Sequence, residues 1–293
     1  MTFKDFPLCN LRPRHQNAHK GSFGRLLLIA GSSTMTGCAV LASQGALRSG
    51  VGILDCASVK DCIGVIQNTC FEAVHTPIED FYDDFPACSA KLLESLKLCD
   101  AVAMGPGLLN RDTFPARKEL LLQLMLMLLE NSRVNFIFDA DCLTVMAGNL
   151  KEFSFFSNRI VITPHLGEMS RLCGKSIAEI ATDKEKCALE FSKKTGFTTL
   201  IKGNNTAVAA PDGRIYINTT GNPYMARGGS GDVLTGMIGS FLAQGIELFD
   251  AVCLGAYLHG GAGDIAAKEL GLSMLPSDIP ERIGKFIFSH GNQ

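Results

Sequence analysis

Short runs that are apolar at nearly every position recur along the chain, separated by longer stretches in which apolar residues return every three or four places. The short runs are RLLLIA at 25–30, VGILDCA at 51–57, DAVAMG at 100–105, VNFIFDA at 134–140, RIVITP at 159–164 and TTLIKG at 198–203. A strand that is apolar on both sides must be covered on both faces, which is the pattern of a parallel sheet between helices. The longer stretches, roughly 37–48, 115–130, 176–195, 231–244 and 247–270, carry helical periodicity. From 206 to 217, TAVAAPDGRIYI alternates on either side of Pro211-Asp212-Gly213, which predicts a β-hairpin. The alternation of strand and helix points to an α/β protein, a three-layer α/β/α sandwich with a mainly parallel central sheet.

Composition narrows the partners more than the fold. No linker-like stretch divides the 293 residues, so a single domain over 1–293 is expected. Hydrophobic residues make up 46% and charged residues 19%, and the mean hydropathy is +0.18, values that suit a large core with buried strands. With a net charge of −2 and scattered basic residues, there is no electrostatic footprint for nucleic acid or an anionic membrane, leaving small molecules as the expected partners. The most membrane-like run, LLLQLMLMLL at 120–129, is too short to span a bilayer and reads as a buried helix. Eleven cysteines without a C-x-x-C pair, and no apolar leader after Met1, fit reduced thiols in a cytoplasmic protein.

In open α/β sheets, ligands gather beyond the carboxyl ends of the strands, and the polar and glycine-rich clusters fall there. The sharpest runs from Thr220 through Gly228-Gly-Ser-Gly-Asp232 into the helical stretch VLTGMIGSFLAQG. Its glycines, Gly229 and Gly231 among them, free backbone N–H groups at a helix start, where the macrodipole favours a phosphate. Asp232 lies in the first turn, placed to take a proton from a hydroxyl attacking phosphorus. The same residues would equally make a turn and a helix cap. A helix N-terminus lowers a carboxylate's pKa, so Asp232 is expected to be ionised and a weak base.

Lys202-Gly-Asn-Asn-Thr206 follows a strand and offers an ammonium and two amides to phosphates and sugar, or a solvated strand end. In Thr163-Pro-His-Leu-Gly-Glu168, Pro164 keeps the chain extended and sets His165 and Glu168 at a strand end, where His165 would orient substrate or water and Glu168 would hold a hydrated Mg2+. His19-Lys-Gly-Ser-Phe-Gly24, Gly31 through Ala39, Gly105-Pro-Gly107 and Asp139-Ala-Asp141 repeat the strand-end arrangement, each a weak signal alone.

Taken in order, these segments resemble the NAD(P)H-hydrate dehydratase family: H-K-G-x-[FY]-G, G-S-x-x-M-T-G-x-A, G-P-G-L, D-A-D-x-L, T-P-H-x-G-E, K-G-x-x-T and G-G-[ST]-G-D, spanning His19 to about Gly263. The resemblance implies a ribokinase-like fold, with H-x-x-E at 165–168 as the counterpart of the N-x-x-E segment of ribokinase-like kinases. It implies Asp232 as catalytic base, and Lys202, Gly203, Asn204, Asn205, Thr206, Gly229 and Gly231 as nucleotide ligands. Ala39, Gly107, His165 and Asp232 would meet the hydrated cofactor. Cys38 stands where many members carry alanine, and Arg227 and Ser230 where threonines are commonest.

The implied reaction uses ADP or ATP, with Mg2+, to phosphorylate the C6 hydroxyl of (6S)-NADHX or NADPHX. Phosphate then leaves as NADH or NADPH re-forms. The resemblance further implies a homo-oligomer, no epimerase domain in this chain, and a separate epimerase. A ribokinase-like kinase of a small alcohol would share the phosphoryl-transfer apparatus, but the H-K-G and T-P-H-x-G-E segments argue against it; a non-catalytic nucleotide binder is disfavoured by Asp232. Substrate and nucleotide are expected in one cleft, with Asp232 and His165 on the same open face.

Overall fold

In the computed structural model, which describes residues 8–109 and 114–290, the apolar runs become strands of one nine-stranded sheet. In chain order they are β1 (Arg25–Ile29), β2 (Ile53–Val59), β3 (Val74–Ile78), β4 (Ala101–Met104), β5 (Asn135–Phe138), β6 (Ile160–Ile162), β7 (Thr198–Ile201), β8 (Thr206–Ala209) and β9 (Ile215–Asn218). Across the sheet the order is β3-β2-β1-β4-β5-β6-β7-β8-β9. The pairs from β3 to β7 are parallel, while β8 and β9 add the expected antiparallel hairpin.

The helices are α1 (Thr36–Arg48), α2 (Lys60–Gln67), α3 (Phe85–Leu96), α4 (Phe114–Glu130), α5 (Asp141–Met146), α6 (Leu166–Cys173), α7 (Ile177–Thr182), α8 (Lys184–Thr195), α9 (Ser230–Ala243), α10 (Leu248–Leu270) and α11 (Asp278–His290). Successive strand residues point to opposite faces and so feed two separate cores. Leu26, Leu28, Ala101 and Ala103 pack with α1, α2, α9, α10 and α11. Leu27, Ile29, Val102, Met104, Phe136 and Phe138 pack with α3 to α8. The result is the three-layer sandwich expected from the apolar runs. Among the described residues no helix is long and apolar enough to cross a membrane, and the buried cysteines, Cys38, Cys56, Cys142 and Cys253 among them, are free thiols.

Three features depart from the sequence expectation. Strand β3, Val-His-Thr-Pro-Ile, lacks a continuous apolar run and contains Pro77; it forms because it lies at the sheet edge, where a missing N–H is tolerated. The helical stretch 176–195 is two helices. Asp183 ends α7 with φ −145° and ψ 74°, and its side chain accepts from Lys186 N to start α8. Helices α3 and α11 carry Pro86 and Pro280 in their first turns, where proline is compatible with a helix although it reads as a breaker in sequence.

Helices α1 and α9 approach unusually closely. A Cβ on Gly45 would overlap the Val233 carbonyl, and one on Gly236 would overlap the Ala42 carbonyl. Backbone thus lies against backbone, and the amino end of α9 is fixed over the carboxyl ends of β1, β4 and β5, with which α9 is also in contact.

Candidate active site

Lys202, directly after β7, is the charged centre of this edge. Its Nζ lies 2.7 Å from Asp139 Oδ1, past the end of β5, and 3.9 Å from Glu168 Oε2. Burial alone would lower the lysine's pKa, but Asp139 and Glu168 outweigh it and hold the ammonium charged. The other oxygen of Asp139 accepts from the Thr235 hydroxyl at 2.7 Å, and that hydroxyl is 3.1 Å from the Gly231 carbonyl. Asp139 is 1% exposed, so it ties the lysine to the first turn of α9 through a buried link.

The glycine loop supplies the rest of that turn. Gly229, at φ +100°, caps α9 in a left-handed conformation, and a side chain there would collide with Leu41. A Cβ on Gly231 would stand 3.3 Å from Lys202 Nζ, so the ammonium and the free amides of α9 face the same space. Asp232 follows in that turn. Its carboxyl is pushed up to about 6, first by burial and next by the charge of Asp139, with Lys202 pulling the other way. This corrects the expectation of a weak base lowered by the helix terminus: desolvation wins, and Asp232 is ionised at neutral pH yet close enough to its pKa to exchange a proton efficiently.

The T-P-H-x-G-E segment folds into a reciprocal cap on α6. His165 Nδ1 accepts from Gly167 N and Glu168 N at 2.9 and 3.2 Å, while Glu168 Oε2 accepts from His165 N at 2.8 Å. With Nδ1 accepting, these bonds assign the ring proton to Nε2. Burial, then Lys202 and Arg171, lower the imidazole's pKa, so His165 is a neutral N–H donor on an exposed side chain. Glu168 is pushed up to about 7, chiefly by burial, against the pull of Lys202.

These groups share one cavity of about 1040 Å3. Its wall includes His165, Glu168, Lys202, Gly203, Asn204, Thr206, Gly229, Gly231 and Asp232, so Asp232 and His165 open onto the same face. Asn205 is not on the wall: at φ +52° its carbonyl turns away to accept from Lys184 Nζ at 3.0 Å. Nor do Ala39 and Gly107 line it. Ala39 is fully buried in α1, and Gly107, at φ +68°, packs directly on Cys38, whose thiol donates to the Met35 carbonyl at 2.8 Å. Burial, reinforced by Asp232, pushes the Cys38 thiol up to about 12, which makes it inert and places this shelf beside the candidate base. Gly31 N donates to the Pro106 carbonyl at 2.8 Å and joins the two loops of the shelf.

Several wall residues carried little or no sequence signal. Asp139 stood out only as half of a weak D-A-D, yet it is the hinge of the charge network. Asn218 and His259, which no motif included, form the far wall with Thr220 and Asn222 of the glycine-rich segment. His259 lies inside a helical stretch that reads as core, and no spacing marks it.

Among the described residues no group of three or more His, Cys, Asp or Glu side chains could hold a metal ion unaided. Asp139, Glu168 and Asp232 nevertheless line the cavity, which fits a hard cation held through phosphate oxygens and water.

The family profile described as NAD(P)H-hydrate dehydratase matches residues 26–285. The bifunctional NAD(P)H-hydrate repair enzyme Nnr of Moorella thermoacetica is 38% identical over 269 residues, which are 91% of this chain and 49% of that protein. The chain therefore spans about half the length of such relatives. Among solved structures, the ADP/ATP-dependent NAD(P)H-hydrate dehydratase from Bacillus subtilis, co-crystallised with ATP/Mg2+, is similar at a TM-score of 0.80 and 27% identity, covering 97% of this chain and 96% of that one. A ribokinase-like superfamily protein from Enterococcus faecalis is similar at a TM-score of 0.82 and 26% identity, covering 98% and 94%.

Proposed function

Since the chain belongs to the NAD(P)H-hydrate dehydratase family, we propose that it uses ADP or ATP to dehydrate (6S)-NADHX and (6S)-NADPHX to NADH and NADPH. The observation that carries this reading is the meeting of Asp232, Lys202, His165 and the α9 amides on one cavity.

The nucleotide's phosphates lie against the amides of Gly229, Gly231 and Asp232 and the Lys202 ammonium, where fixed N–H dipoles and a charge await the transferring phosphoryl group. Lys202, Gly203, Asn204 and Thr206, which line the cavity, hold the rest of the nucleotide. The C6 hydroxyl of the hydrate approaches phosphorus in line from the side of the cavity that Asp232 and His165 face, with His165 Nε2–H steadying the substrate. Asp232 takes the hydroxyl proton as the new O–P bond forms and the bond to the departing nucleotide breaks. The ring nitrogen's electron pair then expels phosphate from C6, and loss of a C5 proton restores the C5–C6 double bond. Overall ADP and hydrate become AMP, phosphate and the reduced cofactor. Mg2+ would neutralise phosphate charge during transfer, with Glu168 as a water-mediated ligand. The reading includes a homo-oligomer in the cytoplasm and an epimerase activity that supplies the S hydrate.

The test follows absorbance at 340 nm with (6S)-NADHX and either nucleotide. Recovery of NADH with one phosphate released per turnover supports the reading; no recovery with ADP or ATP defeats it.

The base assignment also predicts a pH profile. Asp232 must be ionised, so kcat/KM should be flat above its pKa and fall about tenfold per pH unit below about 6. A profile flat down to pH 4.5 would remove Asp232 as the base. Lys202→Ala should weaken ADP binding by at least about tenfold in calorimetry, the scale of one charge-assisted contact of about 1.5–3 kcal/mol. Equal affinity would show that the ammonium serves only the Asp139 link.

A further inference from the structure

His259, on α10, is a polar side chain that the reaction as derived does not use. It is 8% exposed, it lines the cavity, and its Nε2 is buried without a hydrogen-bond partner. A buried nitrogen left unpaired is costly, and in a ligand cavity that cost is removed by the ligand. We propose, resting on the nucleotide reading above, that His259 Nε2 hydrogen-bonds a sugar hydroxyl of the bound nucleoside diphosphate, in the part of the cavity walled by Thr220, Asn222, Ala256 and Gly260.

Position and chemistry both select the hydroxyl. His259 backs onto Ser230, the first residue of α9, through a backbone hydrogen bond. The phosphates occupy that helix end, so the group reached one step along the nucleotide is the sugar. Burial pushes the imidazole down to about 4, so it is neutral, with one nitrogen donating and one accepting. A phosphate, which only accepts, would satisfy Nε2 only in the tautomer that donates from it. A hydroxyl both donates and accepts, and therefore satisfies Nε2 in either tautomer.

The far wall is held ready for this. Asp264 accepts from Gly221 N and Asn222 Nδ2, both at 2.9 Å, and Thr220 Oγ1 donates to the Tyr257 carbonyl at 3.0 Å, pinning the loop to α10. Gly260 allows the close approach, because a Cβ there would overlap Thr220.

The test is calorimetric titration of the whole chain and of His259→Ala and His259→Gln with ADP, 2′-deoxy-ADP, 3′-deoxy-ADP and pyrophosphate. The unaltered protein should prefer ADP over one deoxy analogue by about three- to tenfold, the range of one neutral hydrogen bond. His259→Ala should erase that preference and leave pyrophosphate affinity unchanged. His259→Gln, whose amide reaches the same point, should restore part of it. A preference that survives in His259→Ala, or is absent from the unaltered protein, overturns the assignment. So does a loss of pyrophosphate affinity in His259→Ala, which would mean that the glycine loop had moved. If the unaltered protein binds no ADP, the nucleotide reading itself fails, a result distinct from any of these.

Discussion

Asp232→Asn is expected to bind ADP as tightly as the unaltered chain while losing turnover by about 10² or more, the scale of a missing general base. The amide keeps the shape and leaves the α9 amides and Lys202 in place, so the ground-state phosphate contacts persist. What disappears is the oxygen that receives the proton. The same substitution should stabilise the fold. Asp232 is raised from 3.8 to about 6, so the protonated form is favoured by folding; that contribution is complete below the unfolded pKa and lost as pH rises through 6. At pH 8 the folded protein therefore carries an unfavourable buried charge costing up to about 3 kcal/mol, which asparagine removes. Melting curves at pH 8 and pH 5 should show a gain that shrinks with acidification. Unchanged turnover, or a lower melting temperature at pH 8, would take Asp232 out of this role.

The layered fold was legible because β1, β4, β5, β6 and β7 are apolar at consecutive positions, and only a sheet covered on both sides accommodates that. The edge strand β3 was not, because edge position is a property of the assembled sheet and leaves no run to read. At the site, motif order picked out Asp232, Lys202 and His165, and the structure brings them to one wall. It could not give the state of Asp232. Helix polarity is visible in sequence, whereas desolvation and the charge of Asp139 depend on what packs nearby. His165 and Glu168 illustrate a further limit: their spacing of three is a functional motif and at the same time a reciprocal helix cap, and the two uses coincide. Asn205 shows the opposite case, a residue inside a legible segment that the backbone turns away from the cavity.

A second large effect should arise at Gly236 in the middle of α9, a residue that does not line the cavity. Replacing glycine by alanine inside a helix ordinarily gains about 1 kcal/mol in propensity, as expected for Gly64→Ala on exposed α2, where an added Cβ meets nothing within 4 Å. At Gly236 the new Cβ would overlap the Ala42 carbonyl, at a separation well under the 3.0 Å that Cβ atoms keep, and the obstacle is rigid backbone. The overlap outweighs the propensity gain. Gly236→Ala is therefore expected to destabilise the chain by about 3 kcal/mol or more, the upper range for an overpacked interior. If the chain still folds, α9 must retreat from α1 by about an ångström, carrying Gly229 to Asp232 away from Lys202. Since such a misplacement at a reacting centre can cost about a hundredfold, turnover should fall in the surviving folded fraction as well. Denaturant melts of both variants, with turnover measured per folded molecule, test the two halves together. A Gly236→Ala protein as stable and as active as Gly64→Ala would show that the α1–α9 contact does not set the position of the active helix.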